Sequence, residues 1–412
     1  MLRPLPAGVE LRPVKKQLLT LRFYYAMCFM ALGVYLPFFP RWLEARGVQG
    51  AAMGVVSASL PAMGLGGPLL FGILSDRLGL RGTLLRVACF GTFASMAAIG
   101  AAFALGHPLG FAGIFVAVLA FAFFRSPTIS LADVIVMELA GAGAGYARTR
   151  LWGSLGFLVA AVATGRFLDP TAPAALPLAI ATALFAALLA AWTLPAKSSV
   201  PPLPALGKAS SLLARTDLRL FFGASFLGQI AHSSYDLCFT LHLRDLGASD
   251  GLVGVSWALG VLSEVALMAG SPWIFRRFTP PWLLVIALFG AAARWTLLAS
   301  VTSIPALLAL QPLHALSFAL LWLASLAYVK ESAPEAALAT TQGLFSATLA
   351  AGSVLGMPLW GALYRRFGGP FLFGTAAIVA ATAAGLAVVW ARRSNAANKA
   401  RSAAGATAER TP

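Results

Sequence analysis

Apolar runs of about 20 residues, the length a helix needs to cross roughly 30 Å of hydrocarbon, recur along the whole 412-residue chain. A sequence of this kind reads as an integral membrane protein of the all-α class. With 59% hydrophobic residues, 11% charged residues and a mean hydropathy of +0.83, it lies outside the range of soluble domains. The repetition speaks against a secreted protein with a signal peptide. The first run follows a basic leader without a small-residue cleavage site, and is expected to stay in the mature protein. Cys28, Cys89 and Cys238 all fall inside apolar runs without metal-type spacing, so they read as packing residues rather than as a disulfide framework or a zinc site.

Polar breaks divide the apolar sequence into twelve expected spans, at about 18–43, 51–74, 83–105, 109–138, 146–168, 173–194, 218–243, 251–275, 281–300, 304–329, 336–363 and 370–391. With the N-terminus inside, most of the 30 Lys and Arg fall in cytoplasmic segments, and only Arg41, Arg46, Arg166, Arg244, Arg365 and Arg366 fall outside. Both termini are therefore expected in the cytoplasm. The formal charge of +16 follows from this bias without any nucleic-acid partner. The longest internal polar interval, "PAKSSVPPLPALGKASSLLARTD" at 195–217, suits an exposed linker between two six-helix bundles at 18–194 and 218–391. Residues 1–17 read as a cytoplasmic leader, and 392–412 as a disordered tail. "ATGRFLD" closes the fifth span as "LWGALYRRFG" closes the eleventh, a weak internal symmetry. Transporters built from repeats bind their solute near the midplane between them.

The stretch "GILSDRLGLRG" between the second and third spans places Gly72, Asp76, Arg77, Gly79 and Arg81 in the pattern G-x-x-x-D-R-x-G-x-[RK]. In that pattern glycines allow a tight turn and close helix approach, and the charges can cross-link helix ends at a gate. The loop resembles that of the major facilitator superfamily. The counterpart after the eighth span, "GSPWIFRRFTPP", keeps Arg276 and Arg277 without the aspartate. Further along, "YARTRLWGSLGF", "LGVLSEVALM", "AAARWTLLAS" and "LQPLHALSF" resemble the bacterial phenylpropionate permease-like transporters, relatives of lactose permease and the nucleoside:proton symporters. The similarity runs from "GVYLPFFPRWLEARG" to "LWGALYRRFGG". It implies twelve helices in two pseudo-symmetric bundles, and transport without a cofactor.

An ionisable group at bilayer depth costs about 2.5–3.5 kcal/mol on insertion scales, so each asks for a partner or a wet cavity. Asp133, late in the fourth span, and Arg150, early in the fifth, can be brought level by a short loop and are expected to pair. In the resembled family the corresponding acid and arginine bind substrate. Ser154 and Phe157 follow Arg150 at i+4 and i+7 and share its face. A snorkelling arginine and a capping aspartate give the same spacing. In the other half, "AHSSYDLCF" puts His232 and Asp236 on one face of the seventh span beside Tyr235, and Glu264 follows Trp257 and Gly260 at helical spacing. The resemblance implies that Glu264, Arg294 and His314 link substrate to proton transfer. Gln311 and Ser317, however, stand where lactose permease has a lysine and a glutamate, which leaves either Glu264 or Asp236 as the proton carrier or no coupled proton at all. Buried polar pairs that only hold helices together remain the competing reading for all five, His232 included. Arg125, beside Pro127, either faces the cavity or satisfies carbonyls freed by the proline.

These features predict a monomeric secondary transporter that takes up an aromatic acid, sugar or nucleoside with a proton. Phe157, Tyr235 and Trp257 would line the site, and there would be no metal and no enzymatic reaction. Proton-driven efflux of amphipathic compounds and a polytopic membrane enzyme or receptor are the alternatives. The first lacks the proline of the exporter signature in the fifth span, and the second lacks a convergent nucleophile and base beyond His232 and Asp236. His107 and His242 are expected to be solvated near loop ends, and Trp42 and Tyr364 to sit in interfacial belts.

Overall fold

A computed structural model describes residues 11–140, 144–194, 209–333 and 337–408. Among these residues it contains helices and no strand. The first half runs α1 (Leu11–Glu44), α2 (Ala51–Ser57), α3 (Ser59–Leu78), α4 (Arg81–Ala104), α5 (Phe111–Arg125), α6 (Thr128–Ala140), α7 (Ala144–Phe167) and α8 (Ala175–Trp192). The second runs α9 (Ala209–Ala214), α10 (Thr216–Asp245), α11 (Asp250–Arg277), α12 (Pro280–Ser300), α13 (Ile304–Ala309), α14 (Leu321–Ser332) and α15 (Leu338–Ala408).

Nine helical stretches among the described residues are long and apolar enough to cross a membrane. Helices α7 and α10 are long enough but fall outside that set, because they carry polar residues such as Arg148, Arg150, Gln229, His232 and Asp236. Helix α15, at 71 residues, would extend to roughly 105 Å as a straight rod, several times the hydrocarbon thickness. It is two helices joined at Gly368, whose φ of 76° is open to glycine but strained for any side chain, with Pro370 just beyond. Counting α7, α10 and both parts of α15 recovers the twelve expected spans. The segment after Trp390, expected to be disordered, continues the helix to Ala408. Residues 1–10, 195–208 and 409–412, parts of the expected leader, linker and tail, lie outside the described set.

Contacts separate the chain into two compact units, one formed by 1–42 and 66–203, the other by 43–65 and 204–412. The expected boundary left the whole second span in the first bundle. The structure instead packs α2 on α15, where a Cβ at Gly54 would run into the Met357 carbonyl, so the approach depends on glycine. In unit one α4 packs on α5 and α8, and the core gathers Tyr24 of α1, Leu85, Ala88 and Cys89 of α4, Ala132 of α6 and Leu188 of α8. All three cysteines are buried and free, as expected of packing residues. In unit two, α10 and α12 pack on α15. The Phe221 ring there lies 4.9 Å from Tyr328 and 5.5 Å from both Phe345 and Trp390. Lipid tails are as apolar as leucine, so these seams are held by close packing and polar contacts rather than by water exclusion.

Trp42 and His242 depart from expectation. Trp42 is fully buried, donates from Nε1 to the Pro173 carbonyl at 3.0 Å and stacks on Phe39. His242 is buried against Phe373, whereas His107 is exposed. Tyr364 donates to Asp245 at 2.5 Å.

Gly368→Val forces a branched side chain into left-handed backbone at a cost of about 1–2 kcal/mol. Its melting temperature in detergent is expected to fall. Gly374→Ala, with ordinary φ and open space around the added Cβ, is expected to melt like wild type.

Candidate functional site

The tenth span is the least regular stretch of the fold. After α13 the chain tightens into a 3₁₀ turn over Gln311–Leu313 and then widens into a π-helical turn over Ala315–Leu320 before α14 begins. Pro312 cannot donate a backbone hydrogen bond, which disfavours a regular α-helix here. Gln311, His314 and Ser317 follow one another at intervals of three, and all three reach one guanidinium.

That guanidinium belongs to Arg294 on α12, which is 0% exposed. Its Nη1 donates to His314 Nδ1 at 2.9 Å and to Ser317 Oγ at 3.0 Å, and its Nη2 donates to Gln311 Oε1 at 3.0 Å. The plane lies 4.2 Å from the centre of the Tyr235 ring and 4.9 Å from that of Trp295. Gln311 Oε1 also accepts from the Tyr235 hydroxyl at 3.2 Å, while its Nε2 is anchored to the Leu307 carbonyl at 2.7 Å. Glu264 on α11 reaches the other nitrogen of His314, with Oε1 2.8 Å from Nε2. His232 and Asp236 lie four apart on α10, with Nε2 and Oδ1 separated by 3.6 Å. The His232 and His314 ring centres are 5.6 Å apart.

All five residues expected to handle protons therefore meet in unit two. Tyr235 is in the same cluster, and Trp257 stacks beside Tyr235 at 5.0 Å with its Nε1 donating to Thr240 Oγ1. Gln311 and Ser317 were read from the sequence only as departures from a relative. In the structure they are two of the three acceptors of Arg294, and their three-residue spacing was the signal that could have identified them.

The first-half candidates meet less directly. Asp133 on α6 accepts a hydrogen bond from the Tyr25 hydroxyl of α1. Arg150 on α7 lies over the faces of Phe29, at 3.9 Å, and Tyr25, at 5.6 Å. Among the described residues no carboxylate lies within ion-pair distance of Arg150, so the expected direct pair with Asp133 is replaced by Tyr25 bridging them through its hydroxyl and its ring. Ser154 is half-buried and Phe157 is buried at 6% exposure. Arg125, half-buried, lies against a pocket shared with Cys28, Cys89 and Thr128.

In the loop motif, Gly79 takes φ 63° and makes the turn between α3 and α4, whereas a Cβ at Gly72 would meet open space, so close helix approach is not what that position requires. Arg81 is buried and forms an ion pair with Glu138. Arg77 is exposed in the last turn of α3, and the side chain of Asp76 lies outside the described set.

Ionisable groups held inside an all-helical membrane fold mark a pathway for ions or solutes. Residues 18–375 match the model of the MFS_1 like family, and the chain belongs to that family. It is 28% identical over 362 residues to the "Probable 3-phenylpropionic acid transporter" of Escherichia coli (strain K12), covering 86% of this chain and 93% of that protein. It is 29% identical over 336 residues to the maltose permease of Geobacillus stearothermophilus, covering 79% and 82%. The crystal structure of the nucleoside transporter NupG superimposes with a TM-score of 0.79 at 18% identity over 91% of this chain and 98% of that one, a likeness of fold. The chain is thus a multi-pass secondary transporter of the major facilitator type.

Gln311→Leu removes the acceptor shared by Arg294 and Tyr235. Leaving buried donors unpaired costs about 1–3 kcal/mol each. A clear fall in melting temperature is expected in lipid nanodiscs. Ser263→Ala, which removes only a bond to the Gly260 carbonyl of its own helix, is expected to leave it unchanged.

Proposed function

We propose that this transporter carries a small organic solute inward together with a proton by alternating access, with both termini in the cytoplasm. The observation that carries the reading is the gathering of Arg294, Glu264, His314, His232 and Asp236 in one cluster. A bundle that needed only to be stable could replace such a cluster with apolar packing at little or no cost. Ionisable groups kept at bilayer depth mark ion and solute pathways.

The solute is an aromatic acid, sugar or nucleoside, and the aromatic acid is favoured. Similarity to a protein named for 3-phenylpropionic acid supports this choice, and so does the state of the arginines. Arg294 is committed to three internal acceptors, whereas Arg150 is held by ring faces with no carboxylate at ion-pair distance among the described residues. A planar fork of this kind binds a carboxylate through two parallel hydrogen bonds. Asp133, Ser154 and Phe157 contribute to the same site in unit one, and Tyr235 and Trp257 supply aromatic surface in unit two. The loop from Gly72 to Arg81 serves as a gate.

The test uses purified protein in liposomes with an inward proton gradient, offered labelled 3-phenylpropionic acid, maltose and a nucleoside in turn. At least one is expected to accumulate, with accumulation lost on adding a protonophore and reduced at least tenfold by Arg150→Ala. Failure of all three to accumulate in wild-type liposomes would remove the proposal.

A further inference from the structure

The two buried histidines of unit two are held in opposite ways. Arginine has only donors, so His314 Nδ1 must accept from Arg294 and the ring proton must sit on Nε2, where it is donated to Glu264. Both nitrogens are occupied and the tautomer is fixed. The His232 side chain is 7% exposed, yet its Nδ1 has no hydrogen-bond partner among the described residues, and its Nε2 stands 3.6 Å from Asp236, beyond hydrogen-bond length. Neither nitrogen anchors the ring, which is stacked on Phe318 with centres 5.2 Å apart and can exchange tautomers or turn.

His232 also lines a cavity of about 240 Å³, space for several waters at the roughly 30 Å³ each occupies in the liquid. Gln229, Ser317 and Ser353 supply polar atoms to its wall, and Gln229 Nε2 donates to Ser353 Oγ at 2.9 Å. Ser317 is shared, since the same Oγ accepts from Arg294. From His232 the wall runs to Gly228 on α10, in the direction of Thr216, and from Ser317 to Trp322 at the start of α14, in the direction of Ser332. Both are helix ends that the distribution of Lys and Arg assigns to the cytoplasm.

We propose that this cavity is a water-filled proton port and that His232, rather than His314, passes the coupled proton to water, with His314, Arg294 and Glu264 as the fixed side of the relay. The inference rests on the proton-coupled reading above. In the release step an N–H bond of the His232 imidazolium breaks, the electron pair stays on the ring nitrogen, and a port water becomes hydronium. The charged and titratable groups around His232 are Asp236 and Tyr235 on its own helix, Arg294 on α12 and His314 in the irregular span, with Glu264 of α11 reached through His314. The α15 and α3 sides of the port, at Ser353 and Pro61, carry no titratable side chain.

Ala350 also lines the port and takes part in none of the polar contacts described. Ala350→Leu puts methyl groups into the space while removing no polar atom. In the liposome assay, with whichever of the three probes wild type accumulates, it is expected to cut proton-driven accumulation at least tenfold while solute exchange without a proton gradient stays within twofold. Unchanged accumulation in a folded Ala350→Leu protein would overturn the port. Independently of any solute, ¹⁵N NMR of histidine-labelled protein, assigned with His232→Asn and His314→Asn, is expected to show His314 as a single Nε2–H tautomer and His232 in exchange. The reverse assignment would overturn the shuttle. Absence of accumulation in wild type would instead count against the transport reading, and the NMR result would still decide between the two histidines.

Discussion

Everything in unit two is arranged around the cost of holding a guanidinium in a dry interior. Arg294 cannot lose its proton in a protein, so it must be satisfied where it stands. The structure meets that demand with neutral acceptors from Gln311, His314 and Ser317, and with the faces of Tyr235 and Trp295, rather than with a directly bonded carboxylate. Glu264 enters one step removed, through the imidazole. That placement keeps a carboxylate near the cation while leaving its own bond to the cluster dependent on a single ring tautomer. One donor, Arg294 Nε, has no partner among the described residues, and a polar network of this kind is costly where it is left incomplete.

The irregular span shows how sequence becomes site. Pro312 interrupts the backbone ladder, the chain tightens and then widens, and three polar side chains spaced by three come to face one helix. Residues three apart along a helix are neighbours on its surface, so the spacing itself favours a shared face. His314 stands between Arg294 and Glu264, while His232, on the unbroken α10, is hydrogen-bonded at neither nitrogen among the described residues.

Much of this was legible beforehand. Twelve spans followed from apolar runs and the polar breaks between them, and the membrane-depth charges stood out because insertion makes them expensive. Helices α7 and α10 were readable as spans from their flanking breaks although their polar residues dilute their hydropathy. What the sequence hid were long-range choices. Nothing local says that 43–65 packs with the second unit, since that depends on a close approach between Gly54 and the Met357 carbonyl. Trp42 and His242 sit near helix ends, and position alone could not tell a buried ring from an interfacial or solvated one. Tyr25 was missed because an uncharged residue at membrane depth raises no alarm, yet it stands between Asp133 and Arg150. Gln311 and Ser317 were seen as lost charges, when their chemistry is that of acceptors.

The central claim is that solute and proton move together. The most direct measurement is a pH electrode in a lightly buffered suspension of proteoliposomes, recording while a transported solute is added to the outside without any imposed gradient. The account predicts immediate alkalinisation of the medium, abolished by Glu264→Gln. Solute entering the vesicles with no change in external pH would contradict it.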